Sequence, residues 1–149
     1  MTLRMDYAKA SPDGIAAIRN VRNYVAKSGL SQNLIDLVYQ RVSQINGCAY
    51  CLDMHARDLI KSGMPIEKLT LLQAWREGGK LFDERERAAL AWAETVTRVA
   101  ETGVPDADFE AVAGHFTEKE LADLTFAIGL MNLLNRVAIS FRATPQAAK

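Results

Sequence analysis

An all-α fold is predicted by three features of the 149-residue sequence. Apolar residues recur at three- and four-residue spacing almost throughout, the interruptions fall at glycine, proline and capping residues, and no useful stretch alternates apolar with polar side chains. Ser11-Pro12 offers an N-cap followed by proline at the first helical position, which opens a helix from 12 to about 27, stopped by Ser28-Gly29. Ser31 caps a second helix whose apolar face carries Leu34, Leu37, Val38, Val42 and Ile45, and Asn46-Gly47 interrupts it. A third helix follows at once with Cys48, Cys51, Leu52, His55, Leu59 and Ile60 at helical spacing, and ends at Ser62-Gly63.

Pro65 restarts a short helix through Leu69, Leu72 and Trp75 that gives out at Gly78-Gly79. Asp83 with Glu86 makes a capping-box pattern ahead of Ala89, Leu90, Ala93, Val96 and Val99, predicting one long helix closed by Gly103. Pro105 begins the next, and Thr117 with Glu120 repeats the capping box before the most apolar segment, 121–141. That helix is apolar around most of its circumference and is expected to be central or buried by another subunit, with a polar tail at 142–149.

Composition narrows the function. A 49% hydrophobic chain of this length suits a single domain over 1–149 that buries roughly 70% of its unfolded surface. Basic and acidic residues balance at 18 each, so no large field draws the protein to nucleic acid or anionic lipid. The N-terminus from Met1 to Tyr7 lacks a signal-peptide pattern, and no apolar run is expected to reach the ~20 residues of a membrane span, so a cytoplasmic location is expected. Two cysteines three residues apart suggest redox or metal chemistry instead of a secreted disulfide scaffold.

On a helix, Cys48, Cys51 and His55 fall within roughly 60° of one another. Cys48 lies in the first turn, where unpaired amides and the helix dipole favour a thiolate, and His55, one turn beyond Cys51, can take up a thiol proton. If Asn46-Gly47 folds the second and third helices into a tight antiparallel hairpin, residues whose numbers sum to about 91 or 92 sit level. Asp36 then faces His55 and can orient the imidazole as the outer end of a proton relay.

Blander roles compete. The cysteines could be small buried hydrophobes, and Asp36 could belong to a solvated face. Zinc on Cys48, Cys51, His55 and Asp36 is disfavoured because the first three lie along one helix, and neither metal nor cofactor is expected. His115 after Gly114 suits a cap or an exposed site; Asn132, Asn135 and Arg136 suit structural hydrogen bonds or a subunit contact. Trp75 and Trp92 read as core, and Met54 and Met64 as an apolar approach to the thiols.

The segment Arg41-Val42-Ser43-Gln44-Ile45-Asn46-Gly47-Cys48-Ala49-Tyr50-Cys51-Leu52-Asp53-Met54-His55 closely resembles the signature of the alkylhydroperoxidase AhpD-like group within the carboxymuconolactone decarboxylase family. Asn132-Leu133-Leu134-Asn135-Arg136 is similar to that family's closing helix, so the resemblance covers about 15–142. It implies an all-helical fold that assembles as a trimer or hexamer, and an enzyme whose dithiol cycles with a disulfide while reducing hydroperoxides. By the same resemblance Cys51 attacks the peroxide, Cys48 resolves the sulfenic acid, His55 transfers protons, the family's carboxylate falls on Asp36, and an external dithiol or redox protein restores the pair. Two departures stand out: aspartate replaces the usual glutamate, one methylene shorter, and Tyr50 stands where some relatives carry histidine. The alternatives are a lactone decarboxylase using acid/base groups without sulfur, and a non-enzymatic redox sensor or oligomerisation module.

Overall fold

The fold grows from how each helix begins and stops. In the computed structural model, which describes residues 2–148, the chain forms α1 (Tyr7–Ala10), α2 (Pro12–Ala26), α3 (Gln32–Asn46), α4 (Ala49–Lys61), α5 (Ile66–Leu71), α6 (Glu84–Thr97), α7 (Val99–Thr102), α8 (Asp106–Ala113) and α9 (Glu118–Phe141), and no strand among the described residues. The all-α expectation is met. Met1 and Lys149, the outer ends of the expected N-terminal segment and polar tail, lie outside the described residues.

Local chemistry sets the boundaries. Ser31 Oγ accepts from the Leu34 amide at 3.3 Å, and both expected capping boxes, Asp83 with Glu86 and Thr117 with Glu120, are closed in each direction. Two stretches differ from expectation. The long helix expected to reach Gly103 breaks at Arg98 (φ −98°, ψ 33°), because Thr102 Oγ1 donates to the Thr95 carbonyl at 2.8 Å and occupies an acceptor that continued helix would use. The helix begun at Pro65 tightens into a 3₁₀ turn, Leu72–Glu77, kinked at Ala74 where Trp75 turns into the core.

Helix α3 is the centre, packed against α4, α6 and α9. One apolar cluster joins Val38 and Val42 of α3 to Ala89 and Ala93 of α6, Leu124 and Ile128 of α9, and both cysteines; a second gathers Leu37, Leu72, Trp75, Phe82 and Leu90. Burying Leu37, Leu72, Leu90, Leu124 and Ile128 completely is worth on the order of 2 kcal/mol per side chain.

The 24-residue α9 corrects one expectation, since by length and composition it is apolar enough to cross a membrane. Its contacts with α2, α3 and α6 explain that apolarity as core packing. A stripe through Ala122, Phe126, Gly129 and Leu133 remains exposed.

The ends of the described chain fold back on the bundle. The Arg4 amide donates to the Phe141 carbonyl at 2.9 Å, and Tyr7 stacks on Phe141 with ring centroids 5.4 Å apart. At the other end the Ala147 amide donates to Asp53 Oδ2 at 3.1 Å.

Candidate functional site: a buried dithiol at a helical hairpin

The site begins at the joint between α3 and α4. Gly47 adopts φ +69°, ψ 33°, a left-handed conformation that suits glycine, and lets the Cys48 amide donate to the Ser43 carbonyl at 3.0 Å. The turn reverses the chain tightly, and the two helices run antiparallel in contact along their length. Cys48 becomes the N-cap of α4: its Sγ accepts from the Cys51 amide at 3.4 Å.

Both cysteines are free thiols and both are buried. Their chemistry is unequal. The Cys51 thiol hydrogen-bonds to Cys48, and despite the opposing effect of burial this bond, the amides of Cys51 and Tyr50 and the Asn135 side chain bring Cys48 down to about 7. The same thiol–thiol bond, together with burial, pushes Cys51 up. The first proton of the pair therefore leaves Cys48. That residue also lines a cleft of about 210 Å³ formed with Gly47, Tyr50, Ala138, Ile139 and Arg142.

The hairpin brings Asp36 to His55 as its register requires. Asp36 Oδ1 lies 3.6 Å from His55 Nδ1, close enough for electrostatic attraction but too far for a direct hydrogen bond. His55 is 2% exposed and neither ring nitrogen has a hydrogen-bond partner among the described residues. The Tyr39 ring packs against the imidazole, centroids 5.1 Å apart, and the Tyr39 hydroxyl is buried and equally unpartnered. Asp36 and Tyr39 line a second cleft of about 500 Å³, with Arg22, Asp58, Lys61 and Ser62 around it. Cys48 and Lys61 bound opposite ends of α4, roughly 20 Å apart at 1.5 Å per residue, and His55 lies between them.

Asn135 and Ser43 are site residues that the sequence reading left outside the thiol cluster. Asn135 is fully buried: its Oδ1 accepts from Asn46 Nδ2 at 2.9 Å, and its Nδ2 donates to Ser43 Oγ at 3.0 Å and to Met131 Sδ at 3.3 Å. It favours the anionic form of both thiols, as Ser43 does for Cys51. Ser43 was within reach of the hairpin argument, since Asp36, Tyr39 and Ser43 share one face of α3 at i, i+3, i+7. Asn132 accepts from Asn46 and from Arg136, the structural role expected of it.

Other expectations sort cleanly. His115 is exposed between α8 and α9. Trp75 and Trp92 are buried, with indole N–H groups bonded to Glu94 and Thr125. Met64 packs on the second apolar cluster and neither Met54 nor Met64 lines the Cys48 cleft, so the expected methionine approach to the thiols is not formed. Tyr50 is half-buried and lines that cleft. Among the described residues, no three His, Cys, Asp or Glu side chains gather as a metal-binding group.

Comparison with known proteins gives a consistent result. The profile of the carboxymuconolactone decarboxylase family matches residues 12–95. The uncharacterized protein YdfG of Bacillus subtilis is 33% identical over 94% of this chain and 95% of its own length. The alkyl hydroperoxide reductase AhpD of Corynebacterium aurimucosum is 37% identical over 53% of this chain, a region that makes up 41% of that protein. A crystal structure from Agrobacterium tumefaciens, of a protein of unknown function provisionally described as the antioxidant defence protein AhpD, superposes with a TM-score of 0.92 at 42% identity, covering 97% of this chain and 98% of that one.

Proposed function

This chain belongs to the carboxymuconolactone decarboxylase family, and from that premise we propose that it is a dithiol-dependent hydroperoxide reductase cycling through a Cys48–Cys51 disulfide. The observation that carries the reading is the adjacency of two free, buried thiols: the Cys51 amide donates to Cys48 Sγ at 3.4 Å, so a sulfenic acid formed on one sulfur has the other beside it to close the disulfide. Similarity to AhpD-named proteins supports a peroxidase-related, antioxidant role.

In the proposed cycle a cysteine thiolate attacks the distal peroxide oxygen, the O–O bond breaks, and the departing alkoxide takes a proton to leave as an alcohol. The resulting sulfenic acid is displaced by the other cysteine, releasing water and forming the disulfide. An external dithiol then attacks the disulfide and supplies two electrons, becoming a disulfide itself. His55 moves protons to and from Cys51, one helical turn away, and Asp36 orients His55.

Cys51 is the attacking residue in this proposal and Cys48 the resolving one, with His55 accepting the Cys51 proton. A specific observation favours the reverse order: Cys48 holds the lower pKa and lines the cleft. The test is peroxide consumption with dithiothreitol by the native protein, Cys48→Ser and Cys51→Ser, each treated with a sulfenic-acid-trapping diketone. Peroxide added to reduced native protein is expected to remove two titratable thiols, and the adduct is expected on Cys51 in Cys48→Ser. An adduct only on Cys48 in Cys51→Ser reverses the order, and thiols unchanged by peroxide overturn the reading.

A further inference from the structure

Two aromatic side chains with unpartnered polar atoms and one carboxylate adjoin the second cleft: the Tyr39 ring packs on the His55 imidazole, centroids 5.1 Å apart, beside Asp36. Among the described residues the Tyr39 hydroxyl and both His55 nitrogens are buried without hydrogen-bond partners, and Asp36 Oδ1 stands 3.6 Å from His55 Nδ1. A buried N–H or O–H left unpaired costs about 1–3 kcal/mol, so such a group invites an occupant. Asp36 and Tyr39 both belong to the wall of the cleft, so the buried polar group lies directly behind it.

The geometry points to Tyr39 as a positioning residue that, with Asp36, holds a solvent molecule against His55 Nδ1 and so fixes which imidazole nitrogen faces the dithiol. The inference extends the redox reading above. The solvent oxygen accepts from Nδ1–H and from the Tyr39 hydroxyl and donates one hydrogen to Asp36, within the two to four polar partners that hold a buried water. With its proton kept on Nδ1, His55 keeps a lone pair on Nε2. Helical side chains lean toward the preceding turn, which here carries Cys51. A hydrogen bond to one ring nitrogen that locks the tautomer in this way fixes which nitrogen the other side of the ring presents.

Tyr39 suits the part. Burial pushes its phenol above the ordinary tyrosine value, so it remains a donor throughout the working pH range. The charged groups lining this cleft are Asp36 on α3, Asp58 and Lys61 on α4 and Arg22 on α2, and Cys51 lies one turn from His55 along α4. The two basic and two acidic side chains bordering the cleft balance, leaving no net field to override the local hydrogen bonds. The arrangement separates the two ends of the hairpin: protons reach His55 from the Asp36 end, while Cys48 lines the cleft at the other.

Histidine NMR tests this without relying on peroxidase activity, because the chain has only two histidines and the exposed His115 serves as an internal reference. In ¹⁵N-histidine-labelled protein, His55 is expected to show the Nδ1–H tautomer, and Tyr39→Phe and Asp36→Asn are expected to mix in the other. Dithiothreitol reduction of the Cys48–Cys51 disulfide, followed against pH, is expected to slow roughly tenfold in Tyr39→Phe, with its pH profile displaced. Because the lost hydroxyl has no partner among the described residues, the Tm of Tyr39→Phe is expected to hold, which separates positioning from folding. An unchanged tautomer with an unchanged reduction profile in Tyr39→Phe overturns the inference. Failure of the native protein to consume peroxide, with the tautomer shift intact, overturns the peroxidase reading alone.

Discussion

Two of the buried carboxylates, Glu94 and Asp36, are treated in opposite ways. Glu94 of α6 is saturated: Trp75 Nε1 donates to Oε1 at 2.9 Å, Arg41 Nη2 lies 2.7 Å from the same oxygen, and Arg76 Nη1 reaches Oε2 at 2.6 Å. Asp36 of α3 stands 3.6 Å from a histidine whose nitrogens have no hydrogen-bond partner among the described residues. The first arrangement ties α3, α6 and the 3₁₀ turn together and leaves nothing over for chemistry. The second gives up stability and keeps hydrogen-bonding capacity in reserve. A buried polar cluster that closes on itself specifies a fold, whereas one that stays open can receive a ligand or a proton.

The contrast breaks most visibly at Glu94. Glu94→Ala strands Arg41 and the Trp75 indole and is expected to cost about 3 kcal/mol, lowering Tm by about 10 °C in a thermal melt, with the alkylation rate of the thiols at low temperature unchanged. Acid gives a milder version. Burial raises the Glu94 carboxyl, but the Trp75, Arg76 and Arg41 donors outweigh it and hold the group below its usual value. Its stabilising contribution is therefore complete above about pH 4.3, the unfolded value, and is lost as pH falls through the lower folded one. Urea midpoints measured from pH 6 downward should show that loss, and in Glu94→Ala the slope should flatten.

The smallest effect sharpens the open side of the comparison. Iodoacetamide alkylation of reduced protein is expected to rise with a midpoint near pH 7 at Cys48, against about 8.5 for an ordinary thiol. Asn135→Ala is expected to move that midpoint upward, because the amide favours the thiolate. A midpoint unmoved by Asn135→Ala would assign that asparagine to holding α9 against α3 and to nothing else.

What was legible in the sequence and what was not divides by range. The hairpin register and the Asp36–His55 pairing follow from one turn and two helical periods, so a short segment determined them. Both capping boxes are likewise local. The break at Arg98 depends on Thr102 reaching back to the Thr95 carbonyl, a competition that no periodic pattern reveals. Asn135 lies 92 positions from Ser43, and only the packing of α9 on α3 brings it beneath the thiols. Tyr7 on Phe141 and Ala147 on Asp53 are long-range in the same sense.

Gly47 carries a consequence for which substitutions the hairpin tolerates. A β-carbon placed there meets no atom within 4 Å, so crowding imposes no limit, yet φ of +69° penalises nearly every L-residue. Tolerance at that position is thus governed by backbone torsion alone, running from glycine to asparagine and aspartate and falling away sharply at the β-branched residues. One position away, Cys48 obeys a different rule, because its buried side chain caps α4 through sulfur and so its size and chemistry, not its backbone torsion, limit what can replace it. Adjacent positions in one turn therefore answer to different selections, one conformational and one chemical.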